Sequence, residues 1–544
     1  MPIIKTLQTL GAAFVLFAGT ALADAVDSAP SLSWSELSEM YELPTWFAEG
    51  KLGVWVHWGP QAFPAKGGGW YGRSMYMHPD IAEPWGKDAF DFHREHFGHQ
   101  ADFGYKDILN EWKTPKLDTD KVVTYARDIL GARYFVALAV HHDRFDLWDS
   151  SHHNWNSVNI GPKRDIIGEF AASTRKAGLP FGVSTHDDRF QGWFYPAFGS
   201  DTYGPRKGEP YDGRKTKADG VGKWWEGLDP AELYGLPTDR RTPDWETNTL
   251  DAWLKRHIEL LEKYEVDLLW MDGWNFPYND QGYGRRLAEW FFNHSLEQNG
   301  KIDAVLCGKP RNLSPIDQQG FVWDFEKGVP PASFKPVFQS ITTPQYWFRQ
   351  HDDPALKPSK DARVLAETFA DVLSKGGNML LNIELMADGS FPQSIMSVYE
   401  DFGAWVRLNG EAIYSSSPWE IIGDNLQMGQ NRVNLSETAL EDISKMDFNF
   451  NERDIRSRPY AHDEVRFTRR GDKLYIFVLN PAAGPIDLPS LGMDSPFKPG
   501  RIASIRLLGG ETTQFQQTAK ALTLEVPERR PNSLVSVFEV SGAL

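Results

Sequence analysis

Two carboxylates sit at positions suited to acid–base work. Asp272 closes the run VDLLWMD (266–272), and Glu326 closes FVWDFE (321–326). Cleaving a glycosidic bond takes two carboxyl groups with different roles. One attacks or stabilises the anomeric carbon and must stay ionised. The other protonates the leaving oxygen and needs a raised pKa. Asp324 rivals Glu326, because residues two apart on a strand share a face. Spacing alone also leaves each carboxylate open to a structural salt bridge.

Four histidines, His57, His141, His142 and His186, form a second group. They suit the binding of sugar hydroxyls or a metal. Metal ligands on one element favour i, i+2 on a strand or i, i+4 on a helix. The adjacent His141 and His142 point to opposite faces of a strand, so sugar binding is preferred and no metal or cofactor is expected. His152 and His153 read as loop residues. GGGWYGR (67–73) lacks the Lys-Ser/Thr ending of a phosphate loop. It reads as a tight turn presenting Trp70 and Tyr71 to a pocket. Trp270 and Trp347 join the expected sugar-binding set as flat apolar walls. With 21 Trp and 33 Phe in the chain, core packing accounts for most aromatic residues.

The elements that must position these residues recur along the chain. Seven short apolar runs each end in polar residues: 51–59, 134–143, 180–187, 266–273, 303–311, 321–328 and 378–384. Amphipathic patterns lie between several of them, as in KRDIIGEFAASTRKAG and TLDAWLKRHIELLEKYE. Strands alternating with helices form a parallel sheet. Polar residues repeated at the strand ends favour an α/β fold of the (β/α)8-like TIM-barrel type, whose sites lie on that face. An open doubly wound sheet is the competing fold, but no GxGxxG fingerprint follows the first strand. The long, aromatic-rich stretch 188–245 reads as an ordered loop shaping the pocket. From about residue 425 short alternating segments predict a C-terminal antiparallel β-sandwich domain. The expected division is 1–23, 24–425 and 426–544.

Residues 1–23 read as a secretory signal, with Lys5, an apolar run and ALA at 21–23. A periplasmic or secreted protein is therefore expected, with no membrane span after signal removal. The net charge of −17 argues against nucleic acid as a partner. Cys307 is the only cysteine, which excludes an intrachain disulfide and a cysteine-based metal site.

Several of these stretches, in order, resemble the α-L-fucosidase family, glycoside hydrolase family twenty-nine. They are WFAEGKLGVWVHWGPQAFPA, YFVALAVHHDRFDLWDS, LLWMDGW, VLSKGGNMLLNI and WVRLNGEAIYSSSPW. The resemblance covers roughly residues 44–420. It implies an exo-acting, retaining α-L-fucosidase that hydrolyses terminal linkages of fucosylated oligosaccharides or polysaccharides. By position, Asp272 matches the nucleophile, and His57, His141, His142, Trp70 and Trp270 match fucose-contacting positions. WDFEKG is similar to a branch whose acid/base is a Glu before a basic residue and Gly, which favours Glu326. Arg311 matches an arginine beside the sugar. Three departures stand out. Gly69 replaces an acidic residue, Glu384 stands where Gly-Pro is usual, and His186 stands in for a tyrosine. They point to a decorated or related sugar, such as sulfated fucose or L-galactose, as an alternative substrate. A non-catalytic fucose-binding protein and a metal-dependent hydrolase are the other readings.

Overall fold

The structure is a computed structural model. It describes residues 32–544 except 83–85, 190–191, 273–281, 310–318, 333, 350–351, 353–354, 356 and 427–452. The predicted signal segment and Arg311 lie outside the described residues.

Eight parallel strands close a barrel in sequence order. They are β1 (Leu52–Val56), β2 (Tyr134–Val140), β3 (Phe181–Thr185), β4 (Leu268–Met271), β5 (Val305–Gly308), β6 (Val322–Glu326), β7 (Phe338–Thr342) and β8 (Asn378–Asn382). Closure is direct, with Trp55 of β1 opposite Asn382 of β8. Every strand residue is buried except Glu326, at the C-terminal tip of β6. Such strands read as near-continuous apolar runs because both faces are covered.

The seven predicted runs match seven of these strands, and β7 is the one not expected. Its sequence FQSIT carries Gln339, Ser340 and Thr342, which hide it among loop compositions. Gln339 and Ser340 find their partners on opposite faces of the strand. Gln339 accepts from the Tyr134 hydroxyl at 2.6 Å, and the Ser340 hydroxyl donates to the Gly328 carbonyl at 2.6 Å.

Helices Ile166–Lys176, Pro243–Lys263, Tyr283–Asn299 and Ala362–Ser374 lie between strands, as their patterns predict. Three start from an N-cap side chain: Asp165 accepts from Gly168, Thr242 from Trp245 and Asp361 from Val364. Among the described residues no helix is long and apolar enough to cross a membrane.

Beyond the barrel two antiparallel sheets pack face to face. The larger contains β9 (Ser417–Pro418), β10 (Val465–Arg470), β11 (Lys473–Val478), β13 (Ser504–Leu507) and β16 (Ser536–Ser541). The smaller contains β12 (Gly484–Leu488), β14 (Phe515–Gln517) and β15 (Leu522–Val526). Both supply one core, with Phe467, Ile476 and Val478 against Ile486, Leu522 and Leu524. The sandwich is pinned to the barrel by buried Arg466, whose guanidinium meets Asp371 on helix Ala362–Ser374 at 2.6 Å.

Candidate active site

The C-terminal ends of the barrel strands bring together residues far apart in sequence. Asp272 follows β4 directly, and its N–H still donates to the Thr185 carbonyl at 2.9 Å, prolonging the ladder with β3. The side chain is thus fixed at the last point where the sheet holds the backbone. Glu326 ends β6. Between the two stands Lys309, just past β5. Its Nζ lies 3.2 Å from Asp272 Oδ1 and 2.8 Å from Glu326 Oε2. Glu326 Oε1 also accepts from Trp347 Nε1 at 3.0 Å.

Burial alone would raise the Asp272 carboxyl. The Lys309 ammonium, and after it the His186 and His142 imidazoles, outweigh burial and hold it well below the usual carboxylate range. Burial brings His142 down to about 4 and His186 down to about 3. Both are therefore neutral at pH 7, which leaves Lys309 as the charge that keeps Asp272 ionised there. Lys309 is itself desolvated, yet the carboxylates of Asp272, Glu326 and Asp324 hold it well above the ordinary lysine value.

Asp324 and Glu326 share a face of β6, as expected, but not a depth. Asp324 is one pleat repeat further into the barrel, fully buried. It accepts from Trp270 Nε1 at 3.0 Å and from Gln339 at 3.4 Å. Burial pushes its carboxyl up to about 7. Glu326 is the carboxylate at the mouth.

The opposite wall is built by β1, β2 and β3. His57 follows β1, and its N–H donates to Asn382 Oδ1 at 2.9 Å. His141 and His142 follow β2, and His186 follows β3. Their rings pack together, with His57 to His186 at 4.8 Å and His141 to His186 at 5.0 Å between centroids. His142 Nε2 lies 3.6 Å from Asp272 Oδ2. Trp270 floors the group, 4.8 Å from the His186 ring. Trp70 stands at the edge, 5.3 Å from His142, and Trp347 lies 5.7 Å from His57. His57, His141, His142, His186, Trp70, Trp270, Asp272, Glu326 and Trp347 are therefore brought together.

Tyr71 is not. Its ring is fully buried and its hydroxyl bonds His93 Nδ1 at 2.8 Å, on the side away from the pocket. Trp70 and Tyr71 end one short helix and begin the next, so consecutive side chains diverge. Two other acids at strand ends are braces. Asp143 accepts from the Tyr105 hydroxyl at 2.6 Å, and Asp187 pairs with buried Arg256 and His257.

The departures acquire physical causes. A Cβ on Gly69 would lie 2.9 Å from Phe348 and 3.0 Å from His141. The ring of Phe348 fills the space a side chain would need. Glu384 is fully buried and faces protein. It pairs with Arg349 at 2.9 Å. It also accepts from Thr343 Oγ1 and from the N–H groups of Gln345 and Tyr346 at 2.8–2.9 Å. Glu384 thus ties down the segment 343–349 that carries Trp347 and Phe348, and its carboxylate is taken up by protein partners.

Lys309 was missed as a site residue. It ends the predicted strand 303–311, but a lysine beside Pro310 gives no pattern that separates it from Arg311. Its contact with two carboxylates was the legible signal only once those carboxylates shared a barrel mouth.

The sequence profile of the family described as Alpha-L-fucosidase matches residues 21–411. Tissue alpha-L-fucosidase of Rattus norvegicus is 27% identical over 389 residues, covering 70% of this chain and 71% of the rat protein. The alpha-L-fucosidase of Branchiostoma floridae is 27% identical over 406 residues, covering 73% and 78%. In three dimensions the fold is similar to that of the Thermotoga maritima alpha-fucosidase solved with a mechanism-based inhibitor. The TM-score is 0.64 at 22% identity, covering 93% of this chain and 99% of that one.

Proposed function

The chain belongs to the alpha-L-fucosidase family of glycoside hydrolases, and from that premise we propose that it is an exported, exo-acting, retaining α-L-fucosidase. Asp272 attacks the anomeric carbon as the Glu326 carboxylic acid protonates the leaving oxygen. A covalent fucosyl-enzyme results. Glu326, now a carboxylate, takes a proton from water, which displaces Asp272 and releases L-fucose. The histidine wall holds the sugar hydroxyls, and Trp70, Trp270 and Trp347 enclose its apolar face.

One observation carries this reading: a single ammonium touches both carboxylates, at 3.2 Å and 2.8 Å. Their nearest oxygens cannot be farther apart than these two contacts laid end to end. That limit accommodates a retaining pair at about 5–5.5 Å. The N-terminal signal pattern supports export.

Release of 4-nitrophenol from its α-L-fucoside tests the reaction, and proton NMR of the first-formed fucose tests the stereochemistry. Wild type should release the α-anomer first. Asp272→Asn should lose on the order of 10⁴-fold in turnover while unfolding at the same temperature within a few degrees. Wild-type turnover in Asp272→Asn, or β-fucose as first product, would overturn the mechanism.

A further inference from the structure

We propose that His57, His141 and His186 form a binding site for a borderline-soft divalent cation of the zinc type, and that the cation and the sugar exclude one another. Each ring offers a nitrogen, and the three nitrogens lie within 4.8 Å of one another. They come from the ends of β1, β2 and β3, so three neighbouring strands fix the cluster. All three residues are more than nine-tenths buried. The Nδ1 atom of each is buried and has no hydrogen-bond partner in the structure. Three buried polar atoms left without partners in one place are rare in a native fold and call for a ligand or bound solvent.

Chemistry narrows the ligand class. Zinc takes imidazole nitrogen at about 2.0–2.1 Å, and three histidines with an open fourth position is one of its standing arrangements. The rings must draw together by roughly 1.5 Å to reach tetrahedral nitrogen spacing, which follows from that bond length. Magnesium and calcium prefer oxygen ligands and find none among these three residues.

Other groups face the cluster. Asp272 favours a cation near His57 and His186. Lys309 opposes one near His57 and His186, and Arg189 opposes one near His141. Because the sugar occupies the same wall in the proposed reaction, the cation is an exchangeable inhibitor. His186, which replaces the tyrosine of the family pattern, supplies the third nitrogen, so the site is a property of this chain's own departure.

The binding half of the proposal stands without the proposed reaction, and the inhibition half rests on it. The test uses the full-length protein stripped with EDTA. Zinc chloride is titrated calorimetrically, and cobalt(II) is added in parallel for its visible spectrum. One zinc per chain should bind, magnesium should not, and cobalt should show the intense bands of tetrahedral coordination. L-Fucose should displace the metal. Zinc should raise KM for the aryl fucoside at constant kcat, reversibly with EDTA. His186→Phe and His57→Gln should each weaken zinc binding by more than about 10-fold, the smallest loss an outer-shell change causes. Hydrolysis without zinc binding overturns this inference alone. Zinc binding with a cobalt spectrum, but no hydrolysis, overturns the proposed reaction and leaves the metal site standing. Zinc retained undiminished by both variants, each still melting cooperatively, places the metal elsewhere and overturns the proposal.

Discussion

The two walls of the barrel mouth are built from similar strand ends but carry opposite electrostatics. On the β1–β3 side, burial holds the histidines below their ordinary value and keeps them neutral. On the β4–β6 side, Asp272 is held ionised, and Lys309 bonds both it and Glu326. The difference follows from what each wall buries. Imidazoles lose their proton when desolvated, whereas carboxylates keep their charge if a cation is buried beside them. In the proposed reaction the neutral wall holds a neutral sugar without competing for its charge. The ionic wall supplies the bond-making groups. Each wall can therefore be broken separately.

The sharpest break falls on the ionic wall. Glu326→Ala should lower kcat/KM for unactivated fucosides by about 10²–10⁴-fold, the usual value of a general acid. Azide should restore much of the rate on a 2,4-dinitrophenyl fucoside, which needs no acid. Asp324→Asn, deeper on the same face, should show no azide rescue, since its carboxyl bonds Trp270 and Gln339. Equal rescue in both variants would undo the assignment to Glu326.

Lys309→Met removes the charge that joins the two groups. Asp272 should then titrate higher, because burial would no longer be opposed by an adjacent ammonium. The acid limb of kcat/KM should move up by about 1–3 pH units, the range for loss of a close opposite charge. An unmoved acid limb would mean that Lys309 orients the carboxylates without setting their charge.

Glu384→Gln tests the strap between the walls. It leaves Arg349 buried without its counter-charge, which costs about 3–5 kcal/mol when a buried pair is broken. Urea unfolding should register that loss. The ratio of activity on sulfated and unsulfated fucosides should stay constant, because Glu384 touches segment 343–349 and not the pocket. A changed ratio would return Glu384 to substrate selection.

Legibility in the sequence divides along physical lines. Strands with both faces apolar announced themselves, as in YFVALAV and LLWM. β7 did not, since Gln339 and Ser340 find partners only more than ten residues away, Tyr134 and Gly328. Asp272 was legible because a carboxylate at the end of an apolar strand has few structural uses. Asp143 and Asp187 have the same local pattern and proved to be braces, a distinction that depends on Tyr105 and Arg256 in other elements. Tyr71 was misplaced because neighbouring residues at a junction of two short helices point apart. Gly69 and Glu384 were visible as departures, but their causes, the ring of Phe348 and the charge of Arg349, are contacts in space.

The smallest effect separates the walls by acid stability. His186 and His142 have native values of about 3 and about 4, below the roughly 6.5 of an unfolded histidine. Between those limits the unfolded chain binds more protons than the native one, so stability falls as pH drops. The histidine contribution is complete above about pH 6.5 and is lost progressively below it. Asp272, also depressed, acts in the same direction but only below about pH 4, its unfolded value. Melts between pH 7 and pH 5 report the histidine wall together with Asp324, whose carboxyl, raised to about 7, acts in the opposite direction, so only the difference between wild type and a histidine variant isolates the histidine wall. His186→Gln keeps a polar group of similar size that cannot titrate. Its stability should fall less steeply over that interval, by up to about 1.4 kcal/mol per pH unit, the value of one proton. Parallel slopes for wild type and variant would mean that His186 takes up its proton in the native state, and that the wall is less desolvated than its burial implies.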